Sequence, residues 1–180
     1  LYRPAGAGGV PQPVLLWLHG GGWTLGSLDA YDPFCRALAA AAGCVVAALD
    51  YRLAPEHRFP AALDDAWEAL RWLRRDSGAL GVDPMRVAVG GDSAGGNLAA
   101  SLALMARDAS VPLVHQLLIY PAVDCLEELH AGMPYATRHF LDIDGLRWFR
   151  FNYLAAEADR LDWRASPVRA SVHAGVAPAL

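Results

Sequence analysis

Four short apolar runs recur along the chain, and each ends in glycine, proline or a polar turn. Val14-Leu15-Leu16-Trp17-Leu18 is apolar at every position, as expected of a parallel strand covered on both faces. Residues 44–49 (Cys-Val-Val-Ala-Ala-Leu), 86–89 and 113–120 read the same way, the last closed by Pro121. Between them the period shifts to that of helices. Asp29 or Asp32 is placed to cap a helix with Pro33 in its first turn, running through Leu38 to Ala42 and stopped by Gly43. From Pro60, apolar residues at Leu63, Ala66, Trp67, Leu70 and Leu73 mark an amphipathic helix. Its acids (Asp64, Asp65, Glu68) come early and its arginines (Arg71, Arg74, Arg75) late, which suits the helix dipole. Asp83-Pro84 is read as the turn into the third strand. A third helix, through Leu98, Leu102 and Met105, is apolar nearly all round and is expected deep in the core.

Strand and helix therefore alternate up to Pro121, which predicts an α/β fold: a mostly parallel sheet with helices on both faces. Beyond it the pattern changes. Residues 124–176 show no clear strand, only a helix from about residue 144 to 154 whose aromatics have helical spacing. This stretch is expected to pack against the sheet domain, to wall a pocket at its carboxyl edge, or both.

Length and charge narrow the classes. A chain of 180 residues is about one domain long. No apolar run is long enough to span a bilayer, and a net charge of −4 with scattered acids and bases offers no stripe for nucleic acid. Cys35, Cys44 and Cys125 lack metal-ligand spacing and read as free thiols of a cytoplasmic protein. Leu1-Tyr2-Arg3-Pro4 resembles the tail of a strand, and Ala177-Pro178-Ala179-Leu180 the entry to another apolar segment. The expectation is a piece of a longer chain.

The candidate chemistry sits at two glycine-rich turns, each after a buried strand. Gly91-Asp92-Ser93-Ala94-Gly95 fits G-x-S-x-G between predicted strand and helix, where a sharp turn would expose the hydroxyl of Ser93. The bland alternative is a phosphate-cradling turn, although no Walker lysine follows and the dinucleotide-binding glycine spacing is absent. His19-Gly20-Gly21-Gly22-Trp23 places three glycines where backbone must bend freely or approach something closely: a substrate oxyanion met by N–H groups, or simply a flexible loop. The two turns together are more specific than either alone, because a serine nucleophile needs donors for its oxyanion. Asp92 is expected to point away from the nucleophile.

These motifs, with Asp50-Tyr51-Arg52-Leu53-Ala54-Pro55-Glu56, resemble those of the hormone-sensitive-lipase family of α/β-hydrolases. Tyr120-Pro121 with Asp124, and Ala165-Ser166-Pro167 ahead of Pro178-Ala179-Leu180, extend the likeness over nearly all of the chain. The resemblance implies an α/β-hydrolase fold truncated at both ends, residues 1–180 forming a partial domain with a cap-region insertion at about 124–176. It implies a carboxylic-ester hydrolase for short to medium acyl chains, with no metal and no cofactor. Ser93 is then the nucleophile, with Gly21, Gly22 and Ala94 as the oxyanion hole; His19 and residues 51–56 are structural supports. The triad acid and histidine of that family are expected beyond Leu180, and the isolated chain is expected to have little activity. His57, His115, His130, His139 and His173 are expected at the surface. The expected partner is a small-molecule ester; a homo-oligomer stays open. The alternatives are a ligand-binding relative without the histidine, as in plant hormone receptors of this family, and a peptidase or amidase.

Overall fold

Strands β1 (Gln12–Leu18), β2 (Val45–Leu49), β3 (Val82–Asp92) and β4 (His115–Ile119) form one sheet in the order β2-β1-β3-β4. Every pairing is parallel. The structure is a computed structural model that describes residues 1–6, 8–126 and 141–180. Helix α1 (Leu28–Ala42) links β1 to β2, α2 (Ala61–Arg75) and the short α3 (Ser77–Leu80) link β2 to β3, and α4 (Ala94–Asp108) links β3 to β4. Helix α5 (Ile143–Tyr153) and two 3₁₀ turns follow. The α/β sheet with flanking helices is the fold that the alternating pattern predicts.

The unbroken apolar run of β1 has a direct cause. Val14, Leu16 and Leu18 enter a large core with Leu63, Leu70 and Leu73 of α2 and Leu98 and Leu102 of α4. Leu15 and Trp17 enter a smaller core on the opposite face, with Cys35 and Ala39 of α1 and Val46. Both faces are covered, so no position of the run can be polar. Helix α4 is buried along most of its length, as its composition requires.

Strand order also fixes where a site can form. The chain leaves β1 toward β2 on one side, then crosses back to place β3 on the other. The carboxyl ends of β1 and β3 are therefore the switch point of the sheet, where loops diverge and open a crevice.

Three local expectations are corrected. The N-cap of α1 is Ser27, whose hydroxyl accepts from the Ala30 N–H at 3.2 Å, rather than Asp29 or Asp32. Helix α1 consequently starts at Leu28 and Pro33 lies inside it, past the first turn. The third strand begins at Val82, ahead of the expected turn, because Val82 is buried and pairs with Gln12. The ladder is irregular between Gln12 and Val14, and Pro84 lies in this stretch, where a missing N–H is tolerated. Histidines His57 and His173 are exposed, whereas His115 is half-buried. His130 and His139 lie outside the described residues.

Among the described residues of 124–176 there is no strand, and α5 is capped by Asp142, whose carboxylate accepts from Gly145 N–H at 2.8 Å. Tyr2 forms an antiparallel bridge with Val46, and Ala179 a parallel one with Gln116. No helix among the described residues is long and apolar enough to cross a membrane. Leu102 is fully buried between α4 and the sheet. Leu102→Ala should therefore destabilise the fold by about 2–5 kcal/mol, read as a lower urea midpoint at unchanged m-value.

Candidate active site

Ser93 stands between β3 and α4 with φ 52° and ψ −114°, a backbone conformation that L-residues rarely adopt. Holding it costs on the order of 1–3 kcal/mol, so its surroundings must over-determine it. They do. The Ser93 N–H donates to the Ile119 carbonyl at 2.9 Å, and the Ser93 carbonyl accepts from Asn97 N–H at 3.0 Å and Ala122 N–H at 3.1 Å. No described side chain hydrogen-bonds the Ser93 hydroxyl. The first N–H groups of α4, starting at Ala94, lie immediately after it, at the positive end of the helix dipole.

Only glycine fits on either side of this turn. A Cβ at Gly95 would strike the Leu18 carbonyl oxygen, and one at Gly91 would strike Gly95 and the same oxygen. The register explains the crowding: Leu18 of β1 pairs with Gly91 of β3, so α4 begins against the end of β1. The two glycine-rich turns predicted to act together are thereby neighbours.

The loop after β1 is held peptide by peptide. The His19 carbonyl accepts from the Tyr51 hydroxyl at 2.6 Å, while the Gly20 N–H of the same peptide donates to Asp92 Oδ1 at 2.9 Å and approaches Tyr31 Oη at 3.0 Å. The Gly20 carbonyl lies 2.7 Å from His19 Nδ1. A carbonyl only accepts, so that nitrogen carries the ring proton. The Gly21 carbonyl accepts from Leu25 N–H at 2.9 Å and Thr24 N–H at 3.1 Å. In a trans peptide the N–H points opposite to its C=O. Fixing the carbonyls of Gly20 and Gly21 therefore aims the N–H groups of Gly21 and Gly22 the other way, and no described residue accepts from either. Two oriented donors with no protein acceptor can receive a developing negative charge.

His19 is one of the supports. Its ring is buried, stacks on Tyr51 at 4.3 Å between centroids, and leaves no room for a Cβ at Gly26. Burial pushes the Tyr51 phenol far above its ordinary range, so it remains a donor to the loop. The rest of that polar loop serves the same end. Ala54 N–H donates to the Trp23 carbonyl at 2.9 Å, and Arg52 grips Asp65 of α2 through Nε at 2.9 Å and Nη2 at 2.8 Å.

Sequence reasoning missed two groups. Tyr31 of α1 reaches the glycine loop, and its only signal was a place near the start of an expected helix. The side chain of Asn97, fully buried, donates to the carbonyls of Ala122 and Ala165 at 2.6 and 2.9 Å, tying α4 to both later loops. Helix α5, expected to pack against the sheet domain or to wall a pocket at its carboxyl edge, contacts the glycine loop: the Phe149 ring lies where a Gly22 side chain would be, and Tyr153 stacks on Trp23 at 4.2 Å and 5°. The described histidines other than His19 stay elsewhere. His115 opens β4 at the opposite end of the sheet, and His173 Nε2 is 2.9 Å from the Pro167 carbonyl.

Residues 15–180 match a family model described as alpha/beta hydrolase fold. The chain is 45% identical over 190 residues to an ethyl acetate hydrolase of Pseudomonas putida, covering all of this chain and 58% of that protein. It is 56% identical over 110 residues to carboxylesterase NlhH of Mycobacterium tuberculosis, covering 61% of this chain and 34% of that one. A hyperthermophilic esterase from Pyrobaculum calidifontis superposes with a TM-score of 0.90 at 42% identity, covering 96% of this chain and 56% of the other. The chain belongs to the alpha/beta hydrolases, in the branch that resembles hormone-sensitive lipase. It spans little more than half the length of the ethyl acetate hydrolase, or of that esterase's chain.

Two measurements follow from this geometry. Gly95→Ala should cost about 1–3 kcal/mol of stability by overpacking, and its urea midpoint should fall accordingly. Asp65 is partly buried, which raises its pKa, but hydrogen bonds from the Arg52 side chain and N–H outweigh this and hold it below the usual carboxylate range. A folded pKa below the unfolded one means stabilisation present above about pH 3.9 and lost as pH falls through the folded value. Asp65→Asn should thus cost up to about 1 kcal/mol at pH 7, the range of exposed ion pairs, with the difference vanishing in strong acid.

Proposed function

We propose that the full-length protein carrying this chain hydrolyses carboxylic esters of short to medium acyl chains through an acyl-enzyme on Ser93. The observation that carries this reading is the pairing of a strained, half-buried serine turn with two carbonyl-clamped glycine peptides at the switch point of the sheet. Ser93 Oγ attacks the ester carbonyl while a histidine base takes its proton. The carbonyl oxygen becomes the oxyanion, accepted by the N–H groups of Gly21, Gly22 and Ala94. Collapse expels the alcohol, which receives the proton, and water then releases the acid. One such donor is worth about 3 kcal/mol of barrier. The curated relatives named for ester hydrolysis support this assignment.

Base and orienting acid belong, in this proposal, to sequence that the longer relatives have and the 180-residue chain does not. The chain alone is then expected to retain only the small rate enhancement that oxyanion donors and binding supply. A serine turn with oxyanion donors serves esters and amides alike, and it is the relatives named for ester hydrolysis that favour the ester. Hydrolysis of matched ester and amide substrates by the full-length protein should favour the ester, and turnover of the amide at an equal rate would overturn this. Ser93→Ala in the full-length protein should lower kcat for p-nitrophenyl butyrate by at least about a thousand-fold. Undiminished hydrolysis would refute the assignment, and saturable ester binding without turnover by the unmutated protein would favour a ligand-binding relative.

A further inference from the structure

The carboxylate beside the nucleophile faces the other turn. Asp92 precedes Ser93 in the chain, yet its Oδ1 accepts from the Gly20 N–H at 2.9 Å and its Oδ2 accepts from the Tyr31 hydroxyl at 2.8 Å. The same Gly20 N–H lies 3.0 Å from Tyr31 Oη, so amide, phenol and carboxylate close a three-membered ring of contacts. Space confirms how tightly they fit: a Cβ at Gly20 would strike Asp92 Oδ2. Burial, and then the hydrogen bond to Asp92, push the Tyr31 phenol well above its ordinary range, so it remains protonated and keeps donating.

We propose that Asp92 and Tyr31 are positioning residues: a latch that ties the glycine loop after β1 to the serine turn after β3 and sets the relative placement of nucleophile and oxyanion donors. The inference rests on the esterase reading above for its catalytic consequence, and on the hydrogen bonds alone for its structural part. The Asp92 backbone is continuous with Ser93, and the Gly20 peptide is continuous with Gly21. The contact between Asp92 and Gly20 is therefore a direct side-chain link between the two halves of the site. Tyr31 adds α1, a helix on the opposite face of the sheet from α4, to the same constraint. Without the latch, the loop would still be held by His19, Tyr51 and α5, but no side chain of β3, the strand that leads to Ser93, would reach it. A shift of about 1 Å between reacting groups is enough to cost on the order of a hundred-fold in rate.

The test uses the full-length protein and a single hydroxyl. Tyr31→Phe should lower kcat for p-nitrophenyl butyrate by about ten- to a hundred-fold, with KM within about two-fold, because misplaced donors weaken the contacts to the oxyanion that are made in the transition state. The inhibition constant of a trifluoromethyl ketone, which forms a tetrahedral oxyanion on the serine, should rise by the same factor. Asp92→Ala should behave alike, and Asp92→Asn, which keeps an acceptor for Gly20, should restore most of the loss. Independently of turnover, hydrogen exchange at the Gly20 amide should quicken in Tyr31→Phe while the urea midpoint holds. An unchanged kcat in Tyr31→Phe overturns the proposal, as does a loss explained by fewer titratable active sites. If Asp92→Ala does not fold, Tyr31→Phe decides. If the unmutated protein hydrolyses no ester, the esterase reading fails, and Gly20 exchange alone judges the latch: unchanged exchange rejects it.

Discussion

The close approach of α4 to the end of β1 is the constraint on which the site depends. Leu18 pairs with Gly91, and Gly95 lies against the Leu18 carbonyl with no space for a methyl group. Any larger residue at either glycine would push the serine turn away from the glycine loop. The strained conformation of Ser93 is then affordable because its N–H and carbonyl are both fixed by hydrogen bonds to neighbouring elements. Packing of two backbones thus comes first, and the orientation of Ser93 follows from it.

The glycine loop shows the complementary device. A loop of consecutive glycines is entropically costly to order. Here successive carbonyls are bound by Tyr51, His19 and the backbone of Thr24 and Leu25, which removes that freedom where it would blur the direction of the donors. Glycine is still needed, since Gly21 and Gly22 have φ of 119° and 59°, and Phe149 occupies the space beside Gly22. Side chains drawn from α1, the loop after β2, β3 and α5 therefore converge on one short segment. That convergence accounts for Tyr51 and Arg52 of the polar motif, whose side chains hold the loop and helix α2 respectively.

Much of this was legible in the chain. Continuous apolar runs revealed buried parallel strands because both faces of the sheet are covered, and the two glycine turns marked the carboxyl ends of the strands. Less legible was anything set by long-range geometry. Tyr31 and Asn97 act across 61 and 68 residues of sequence, reaching Asp92 and Ala165, and no local period encodes such partners. The cap of α1 was misplaced because Asp29 and Asp32 are as suitable chemically as Ser27, and only the observed backbone distinguishes them. The early start of β3 was hidden by Asp83-Pro84, a turn signal that the buried Val82 overrides.

In the proposed mechanism the N–H groups of Gly21 and Gly22 are aimed, with that of Ala94, at an oxyanion on Ser93. A crystal structure of the full-length protein with a phosphonate bound covalently to the serine tests it most directly. The account requires one phosphoryl oxygen within hydrogen-bond distance, about 3 Å, of these three nitrogens. An adduct on Ser93 whose oxygens all face away from the glycine loop, with the Gly20–Gly22 carbonyls unchanged, would contradict it.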